Sequence, residues 1–208
     1  MQIINKEASS RTFTHTWYLY PISVILIVFL WIWGFQAFHQ PSAHQRINIF
    51  IGASVKNSTF TKVIQKNYER EKLREISINY ALPSEALYRT KLELHQTQSD
   101  ILVLPKITVN EYKEYYSNYF IEYDAKTKEN YFQTSYQYYG FEGHDIGILF
   151  KNKGEDNQYN TYMTFYDDDY YLLITKASTN TGTIFNDKNG EFDNALTIVK
   201  YLLGDLNG

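Results

Sequence analysis

Three consecutive carboxylates, Asp167–Asp169, form the densest group of side chains with potential chemistry in this chain. Carboxylate oxygens are the preferred ligands of hard cations such as Ca²⁺, so the run is a candidate cation site. Two aromatic-rich segments, 162–166 and 170–174, flank it and predict strands joined by a hairpin. A solvated hairpin turn explains the aspartates more simply than a metal site does, and we favour that interpretation.

The other candidates for metal or catalytic chemistry do not fit the required spacings. The segment 187–191 resembles a calcium loop, but Gly190 stands at the wrong position for the EF-hand pattern. The five histidines show neither i, i+4 pairing nor an HExxH motif. Ser54 follows a predicted strand without a surrounding GxSxG, and the segment 52–54 lacks the phosphate-loop spacing. We therefore expect a protein that is not an enzyme and that has no metal and no cofactor.

Tyrosine is the most over-represented residue type, and nine of the 20 tyrosines lie between positions 112 and 139. Tyrosine combines an apolar face with a polar tip, which suits sugar or peptide stacking and protein interfaces. Core packing together with a compositional bias is the simpler explanation, and we favour it. The nine residues are Tyr112, Tyr115, Tyr116, Tyr119, Tyr123, Tyr131, Tyr136, Tyr138 and Tyr139.

A long uncharged segment precedes all of these groups. The chain has no Asp, Glu, Lys or Arg between Arg11 and Arg46, and residues 17–38 are almost entirely apolar. About 20 such residues in a helix span the hydrocarbon core of a bilayer, and Trp and Tyr at both ends are typical of membrane interfaces. A cleaved signal peptide is the alternative, but bulky residues follow where small ones are required. We favour an uncleaved transmembrane anchor.

The anchor implies the domain organisation. We expect a cytoplasmic tail (1–16), a transmembrane helix (17–38), a polar linker (39–46) and one extracellular domain (47–208) in a single-pass cell-membrane protein. The basic residues of the tail favour the cytoplasm slightly. The partners that follow are the lipid bilayer, through residues 17–38, and a membrane transporter or envelope complex.

Composition narrows the function further. The formal net charge of −3 and the lack of a basic stripe argue against a nucleic-acid partner. The chain has no Cys, so disulfides, thiolate metal sites and a lipid-modified cysteine are excluded.

The exported part begins with an alternation of strands and helices. Strands are predicted at 47–51, 76–80 and 101–104, and the last is a continuous apolar run typical of a parallel strand covered on both faces. Helical spacing separates them, so the pattern βαβαβα predicts an α/β domain with right-handed crossovers. We expect the three strands to be parallel, with 47–51 in the middle, in the order 2-1-3.

The helices carry more specific expectations. The second helix should start near Pro83 and present Leu87, Lys91 and Leu94 on one face. A capping box at 108–111 should open a third helix that runs to about Tyr119. Residues 124–130 predict a loop, and 141–150 predict a strand. A last helix, 191–203, should bury Ala195, Leu196, Val199, Leu202 and Leu203 and end at Gly204.

Four short motifs resemble extracellular solute-binding proteins of ABC importers. Asp100-Ile-Leu-Val-Leu-Pro105 resembles the third strand of that family. Tyr138-Tyr-Gly140 followed by Ile146-Gly-Ile148 resembles its hinge strand, and 170–178 resembles the strand that returns to the first lobe. The ending Val199-Lys-Tyr-Leu-Leu203 resembles that of the family's following helix. The resemblance covers most of 47–204. It implies a periplasmic-binding-protein-like lobe, but the lipid-modified Cys is absent and the second lobe is missing or reduced to a hairpin.

Ligands of open α/β sheets bind outside the carboxyl ends of the strands. The residues expected there, with one from the hinge-like strand, are Ser54, Lys56, Pro83, Pro105, Lys106 and Tyr139. The sequence thus predicts a membrane-anchored binding protein, similar to a solute-binding protein, for a small ligand or a partner protein. The alternative is a non-catalytic assembly subunit that docks on a membrane complex through its tyrosine-rich face.

Overall fold

The computed structural model of the protein forms two compact units, residues 1–40 and 41–208. The expected tail (1–16) and the segment 187–191 lie outside the residues that the structure describes. The described ranges are 17–39, 41–67, 73–132, 135–182 and 193–204.

The first unit contains one long apolar helix, α1 (Leu19–His39). Its 21 residues extend about 31 Å at 1.5 Å per residue, which matches the hydrocarbon thickness of a bilayer. Over Leu19–Phe38 none of the side chains is buried inside the protein. Helix α1 is thus compatible, by length and composition, with a membrane anchor or with a signal sequence.

The second unit is an α/β domain built on a mixed six-stranded sheet in the order β3-β1-β4-β8-β6-β5. Strand β1 pairs in parallel with β3 on one side and with β4 on the other. The three predicted strands, their parallel direction and the central place of β1 are therefore confirmed. The strands of this sheet are β1 (Arg46–Ile51), β3 (Glu75–Tyr80), β4 (Ile101–Pro105), β5 (Tyr138–Phe141), β6 (His144–Lys151) and β8 (Tyr170–Ile174).

Helices cover both faces of this sheet, which explains the continuous apolar strands. The helices of the domain are α2 (Phe60–Asn67), α3 (Tyr88–Gln98), α4 (Lys106–Tyr112), α5 (Tyr116–Tyr119), α6 (Ala125–Tyr131) and α7 (Asn194–Leu202). Ile49 of β1 belongs to a buried cluster with Phe60 of α2 and Val199 of α7. Phe50, its neighbour, belongs to a second cluster on the opposite face with Leu92 of α3.

Helix α3 presents a different face to the core from the one predicted. Leu87 and Leu94 are 64% and 50% exposed, whereas Tyr88, Leu92 and Gln96 are buried. These three residues follow one another at intervals of four and therefore form one stripe of the helix. The rings of Phe50 and Tyr88 are in contact, with centroids 6.2 Å apart, so this stripe faces the sheet.

The predicted capping box is also wrong. Helix α4 already begins at Lys106, and the Thr108 hydroxyl is buried and hydrogen-bonded to the Tyr88 hydroxyl at 3.0 Å. The backbone N–H of Ile107 lies in the first turn of α4 and has no acceptor within the helix. It donates instead to the Asp168 carboxylate, in a loop distant in sequence, at 2.8 Å. The helical segment does reach Tyr119, through α5, as predicted.

Helices α6 and α7 can also be compared with the sequence predictions. Residues 125–131 form α6 rather than a loop, because the Asp124 carboxylate caps the Thr127 N–H at 2.7 Å. Helix α7 buries Ala195, Leu196, Val199 and Leu202 as predicted. Gly204, at φ +86°, ends it in the left-handed conformation expected of a helix C-terminus.

The predicted hairpin around Asp167–Asp169 does not form. Strand β7 (Met163–Thr164) pairs instead with β2 (Ser54–Val55) as a separate antiparallel ribbon. Strand β8 inserts between β4 and β6 and is antiparallel to both. The true hairpin joins β5 to β6 through Glu142 and Gly143, both at positive φ, so the predicted strand 141–150 is two strands.

A buried polar cluster around Asp100 lies where the chain enters the sheet. The Asp100 carboxylate accepts hydrogen bonds from Asn48 N (2.8 Å), Ser178 Oγ (2.6 Å) and Asn180 Nδ2 (3.1 Å). Asn180 Nδ2 also lies 3.0 Å from the Arg46 carbonyl oxygen. Burial raises the pKa of Asp100, against the lowering effect of its hydrogen bonds. The cluster lies at the end of the sheet where the parallel strands begin.

Candidate functional site

The opposite end of the sheet gathers the segments most suited to binding. Strands β1, β3 and β4 are parallel and so end at this edge. Tyr170, the first residue of β8, pairs with the last residues of β4 and β6, Pro105 and Lys151. We call the segments 52–57, 81–87, 105–107 and 152–169 the strand-end edge. In open α/β sheets this edge carries the ligand site.

The buried side chain of Tyr170 links the loop before β8 to the end of β1 by hydrogen bonds. The Tyr170 hydroxyl donates to the Gly52 carbonyl oxygen and accepts from the Tyr166 N–H, each at 2.8 Å. A Cβ atom on Gly52 would lie 3.0 Å from Pro105 Cδ and 3.3 Å from the Tyr88 hydroxyl, so the close approach requires glycine. Burial raises the pKa of Tyr170, which therefore stays protonated as a donor.

The three aspartates have structural partners. Asp167 pairs with the Lys153 ammonium at 3.2 Å, and Asp168 caps helix α4. Asp169 accepts from Lys153 N at 2.9 Å and pairs with the Lys106 ammonium at 3.4 Å, and the hydrogen bond from Lys153 N lowers the Asp169 pKa most. Among the described residues there is no group of three or more His, Cys, Asp or Glu placed to hold a metal ion. The run organises the loop between β7 and β8.

An open cleft of about 230 Å³ lies beside the β2–β7 ribbon. Enclosed sites for drug-sized ligands measure about 300–1,000 Å³, so this cleft is smaller than those sites, and it is open to solvent. Two ammonium groups, those of Lys56 and Lys151, belong to its lining. The lining residues are Lys56, Lys151, Gly154, Glu155, Asp156, Asn160, Met163, Thr164, Phe165, Tyr166 and Asp167.

The structure separates the predicted site residues into two groups. Lys56 lines the cleft, and Ser54 pairs with Thr164 in the ribbon beside it. Lys106 and Tyr139 both adjoin Tyr171: the two tyrosine rings are 5.1 Å apart, and the ammonium lowers the pKa of both tyrosines against the larger effect of burial.

The two predicted prolines also lie at the strand-end edge. Pro105 is the last residue of β4 and directly precedes Lys106. Pro83 lies in the loop between β3 and α3, half-buried. Of the six predicted residues, the cleft beside the β2–β7 ribbon is lined by Lys56 alone.

The tyrosine-rich region does not form an exposed surface. Tyr123 is 1% exposed and packs against Phe132 with ring centroids 5.4 Å apart. Tyr112 and Tyr119 contact each other edge to face, and the Tyr139 hydroxyl donates to the Asn110 side chain. Among the tyrosines of this region whose side chains the structure describes, only Tyr115 is largely exposed, at 57%. Most of these rings lie in the hydrophobic core or pack against it.

The exposed apolar side chains of the domain lie elsewhere. Four of the six large ones among the described residues belong to the strand-end edge: Val55, Leu87, Ile107 and Tyr166, with exposures of 41%, 64%, 53% and 47%. Leu94 and Tyr115 are the other two. Exposed apolar groups that share one edge are typical of an interaction surface.

Sequence reasoning missed Tyr170, Lys151, Asn160 and Tyr166. Lys151, Tyr166 and Tyr170 take their place from the insertion of β8 between β4 and β6, whereas Asn160 lies beside the β2–β7 ribbon. Both are pairings between distant segments. Two signals in the sequence bear on this region: the aromatic segments 162–166 and 170–174 predict a hairpin, and 170–178 resembles a strand that returns to the first lobe.

Comparison of this chain with models of protein families, with curated proteins and with solved structures finds no match.

Proposed function

We propose that this protein is a membrane-anchored binding protein that catalyses no reaction and recruits a partner protein through the strand-end edge of an exported domain. The observation that carries the proposal is the concentration of exposed apolar side chains at this edge. Val55, Leu87, Ile107 and Tyr166 come from four different segments of the chain. Charged groups accompany them, including the Lys106–Asp169 and Lys153–Asp167 pairs. An apolar centre with a charged surround is the usual composition of a protein interface.

A likeness to one lobe of a solute-binding protein supports the choice of this edge. The resemblance implies a sheet order with the 47–51 strand in the middle and a strand from 170 onward that returns to the same sheet, and β1 and β8 occupy those positions. In a two-lobed protein the strand-end edge faces the second lobe. Here only the segment 152–169 separates β6 from β8, so this edge has no second lobe from the described chain above it.

A partner protein suits the edge better than a small solute does. Tight binding of a small molecule requires most of its surface to be buried, and a cleft of about 230 Å³ that opens to solvent does not provide this. A protein partner can instead cover the whole edge and exclude water from its apolar centre.

In this proposal the surface lies outside the cell. Helix α1 has the length and composition of a membrane span, and the folded unit follows it. We propose that the unit is exported and stays attached to the membrane. Protease added to intact cells should then remove the domain, whereas protection of the domain would reverse the topology.

The docking proposal is tested with the full chain in the membranes of its native host. A double substitution, Ile107→Glu with Tyr166→Glu, places two charges in the apolar centre of the edge. The matched control, Leu94→Glu with Tyr115→Glu, changes exposed apolar residues elsewhere on the domain. After mild detergent extraction, native electrophoresis should show the parent and the control in a complex larger than the chain, and the edge variant outside it. Equal migration of all three proteins would refute docking through this edge.

A further inference from the structure

Strand β3 forms one lateral edge of the six-stranded sheet, and its outer side is open. It pairs with β1 in an unbroken register over its full length, Glu75–Tyr80. Among the described residues no strand pairs with the other side of β3. Every residue from Ser77 to Tyr80 is partly exposed, whereas all residues of β4 and β8 are buried. Solvent therefore reaches β3 along most of its length.

The opposite lateral edge of the sheet, β5, is protected against pairing with another chain. Natural proteins usually protect an exposed edge with a bulge, a lysine or a proline. Strand β5 has a register irregularity in its middle. The ammonium groups of Lys128 and Lys113 lie 4.4 Å and 5.2 Å from the ring centroids of its first and last residues, Tyr138 and Phe141. A bulge and two lysines thus guard this edge.

Strand β3 lacks all of these protections. Residues 75–80 include neither Lys nor Pro, and no bulge interrupts the pairing with β1. The only charged residue, Glu75, is the first of the strand and pairs with Arg46 at 3.5 Å. A long edge without bulges or lysines presents unpaired N–H and C=O groups to another strand.

The hydrogen bonds to β1 determine which backbone groups of β3 face outward. The Ala81 N–H donates to the Ile51 carbonyl oxygen at 3.2 Å, and Ile51 lies opposite Tyr80 in the parallel register. Because the backbone groups of successive residues point to opposite sides of a strand, the odd-numbered residues of β3 bond to β1. The N–H and C=O groups of Ile76, Ile78 and Tyr80 therefore point away from the sheet.

An antiparallel pair of two β3 strands centred on Ile78 satisfies all of these outward groups. We propose that two copies of the chain associate through this pairing, which joins their two sheets into one continuous sheet. Ile78 then lies opposite Ile78 of the second copy, and Ile76 lies opposite Tyr80 of the second copy. All three are hydrogen-bonded pairs of an antiparallel ladder.

The side chains of β3 are self-complementary in this register, which favours a second copy as the occupant of the edge. The three outward residues belong to or pack against one hydrophobic cluster, so the apolar face continues across both copies. On the other face Ser77 lies opposite Asn79 of the second copy, and both are small polar residues. The two Glu75 residues lie at opposite ends of the pair, about 20 Å apart, so like charges do not meet.

The dimer is independent of partner docking at the strand-end edge, and it is tested with the full chain in membranes. The chain has no Cys, so introduced cysteines report one pair of positions at a time. Ser77→Cys and Asn79→Cys chains, with tags of different size, are co-expressed, oxidised mildly and separated by non-reducing electrophoresis. The matched control is the mixture of Asn118→Cys and Asn130→Cys, two exposed positions of α5 and α6.

The mixture of Ser77→Cys and Asn79→Cys should form a disulfide-linked dimer, because these positions lie opposite each other with Cα atoms about 4.5 Å apart. Either variant alone should not, because its two cysteines are diagonal neighbours about 7–8 Å apart, beyond the reach of a disulfide. The control mixture should give no dimer.

A charge exchange tests the same pairing without cysteines. Ser77→Lys with Asn79→Lys places like charges opposite each other and should abolish co-purification of two differently tagged copies. Ser77→Lys with Asn79→Glu places opposite charges there and should retain it. Thermal unfolding shows whether each variant is folded, and the cysteine experiment decides the outcome if either charged variant is not.

Three results would overturn the inference. These are no disulfide in the mixture of Ser77→Cys and Asn79→Cys, a disulfide in either variant alone to the same extent as in the mixture, or equal co-purification of the two folded charge variants. The strand-end substitutions Ile107→Glu and Tyr166→Glu leave β3 unchanged and should leave the disulfide-linked dimer intact. Failure of partner docking and failure of the dimer are therefore distinguishable.

Discussion

Replacement of Tyr170 by Phe removes one hydroxyl from the centre of the strand-end edge. That hydroxyl joins the Gly52 carbonyl oxygen to the Tyr166 N–H, with both distances at 2.8 Å. The ring is 0% exposed and packs against Phe165 at 4.9 Å between centroids, so Phe keeps the apolar contacts. The substitution therefore isolates the two hydrogen bonds.

The expected destabilisation follows from those two contacts. A net hydrogen bond contributes about 1 kcal/mol, and a buried group left without a partner costs about 1–3 kcal/mol. Water can reach Tyr166 N–H more easily than Gly52 O, because Tyr166 is 47% exposed whereas Gly52 is buried. We therefore expect a loss of about 2–3 kcal/mol in the free energy of unfolding, or roughly 4–12 °C in Tm for a domain of this size.

The assay is urea unfolding of a fragment comprising Pro41–Gly208, followed by circular dichroism. The fragment is one of the two compact units of the chain, and we expect it to fold cooperatively without a metal. Tyr115→Phe is the matched control, because that ring is 57% exposed, and it should change stability by less than about 0.5 kcal/mol. A Tyr170→Phe variant as stable as the control would refute the hydroxyl bridge and the fixed position of the loop.

Three further predictions can each be tested separately. Burial raises the pKa of Asp100 above 3.8 in the folded state. The folded state therefore binds a proton more readily than the unfolded state, and the free energy of unfolding should increase as pH falls through the raised pKa. Urea unfolding should show the parent gaining stability relative to Asp100→Asn between neutral and mildly acidic pH. Asp168→Ala removes the cap of α4 and should lower the free energy of unfolding by about 1 kcal/mol. Asp167→Asn breaks only an exposed ion pair and should lower it by less than about 0.5 kcal/mol in the same assay. A calorimetric screen of sugars, peptides and amino acids should find affinities in the millimolar range at best, about −4 kcal/mol; a reproducible micromolar binder would restore solute capture as the function.

The parallel half of the sheet could be predicted because its signals are local. The strand 101–104 is a continuous apolar run, which requires cover on both faces, and helical spacing on either side of 76–80 implies crossovers. These features lead directly to the parallel order around β1. The strand ends then indicate Lys56 and Lys106 as residues of one edge.

The pairings of β7 and β8 could not be predicted from local patterns because the other strands of these pairs are distant in sequence or not adjacent along the chain. The aromatic segments around Asp167–Asp169 look like partners in a hairpin, yet each pairs with another part of the chain. In the same way, the capping box at 108–111 is a local pattern, whereas the real cap comes from Asp168, about 60 residues away in sequence. A single sequence gives no means of ranking a distant partner above a near one, so the cleft residues Lys151 and Asn160 were missed.

Site-specific photocrosslinking in intact cells tests the central claim most directly. A photoreactive phenylalanine analogue is placed at Ile107 or Tyr166 of the strand-end edge, or at Leu94 or Tyr115 as controls, each of which is at least 47% exposed. The account predicts one discrete protein adduct from both edge positions, identical in mass, and none from the two controls. Adducts from the control positions alone, or no adduct from either edge position, would contradict it.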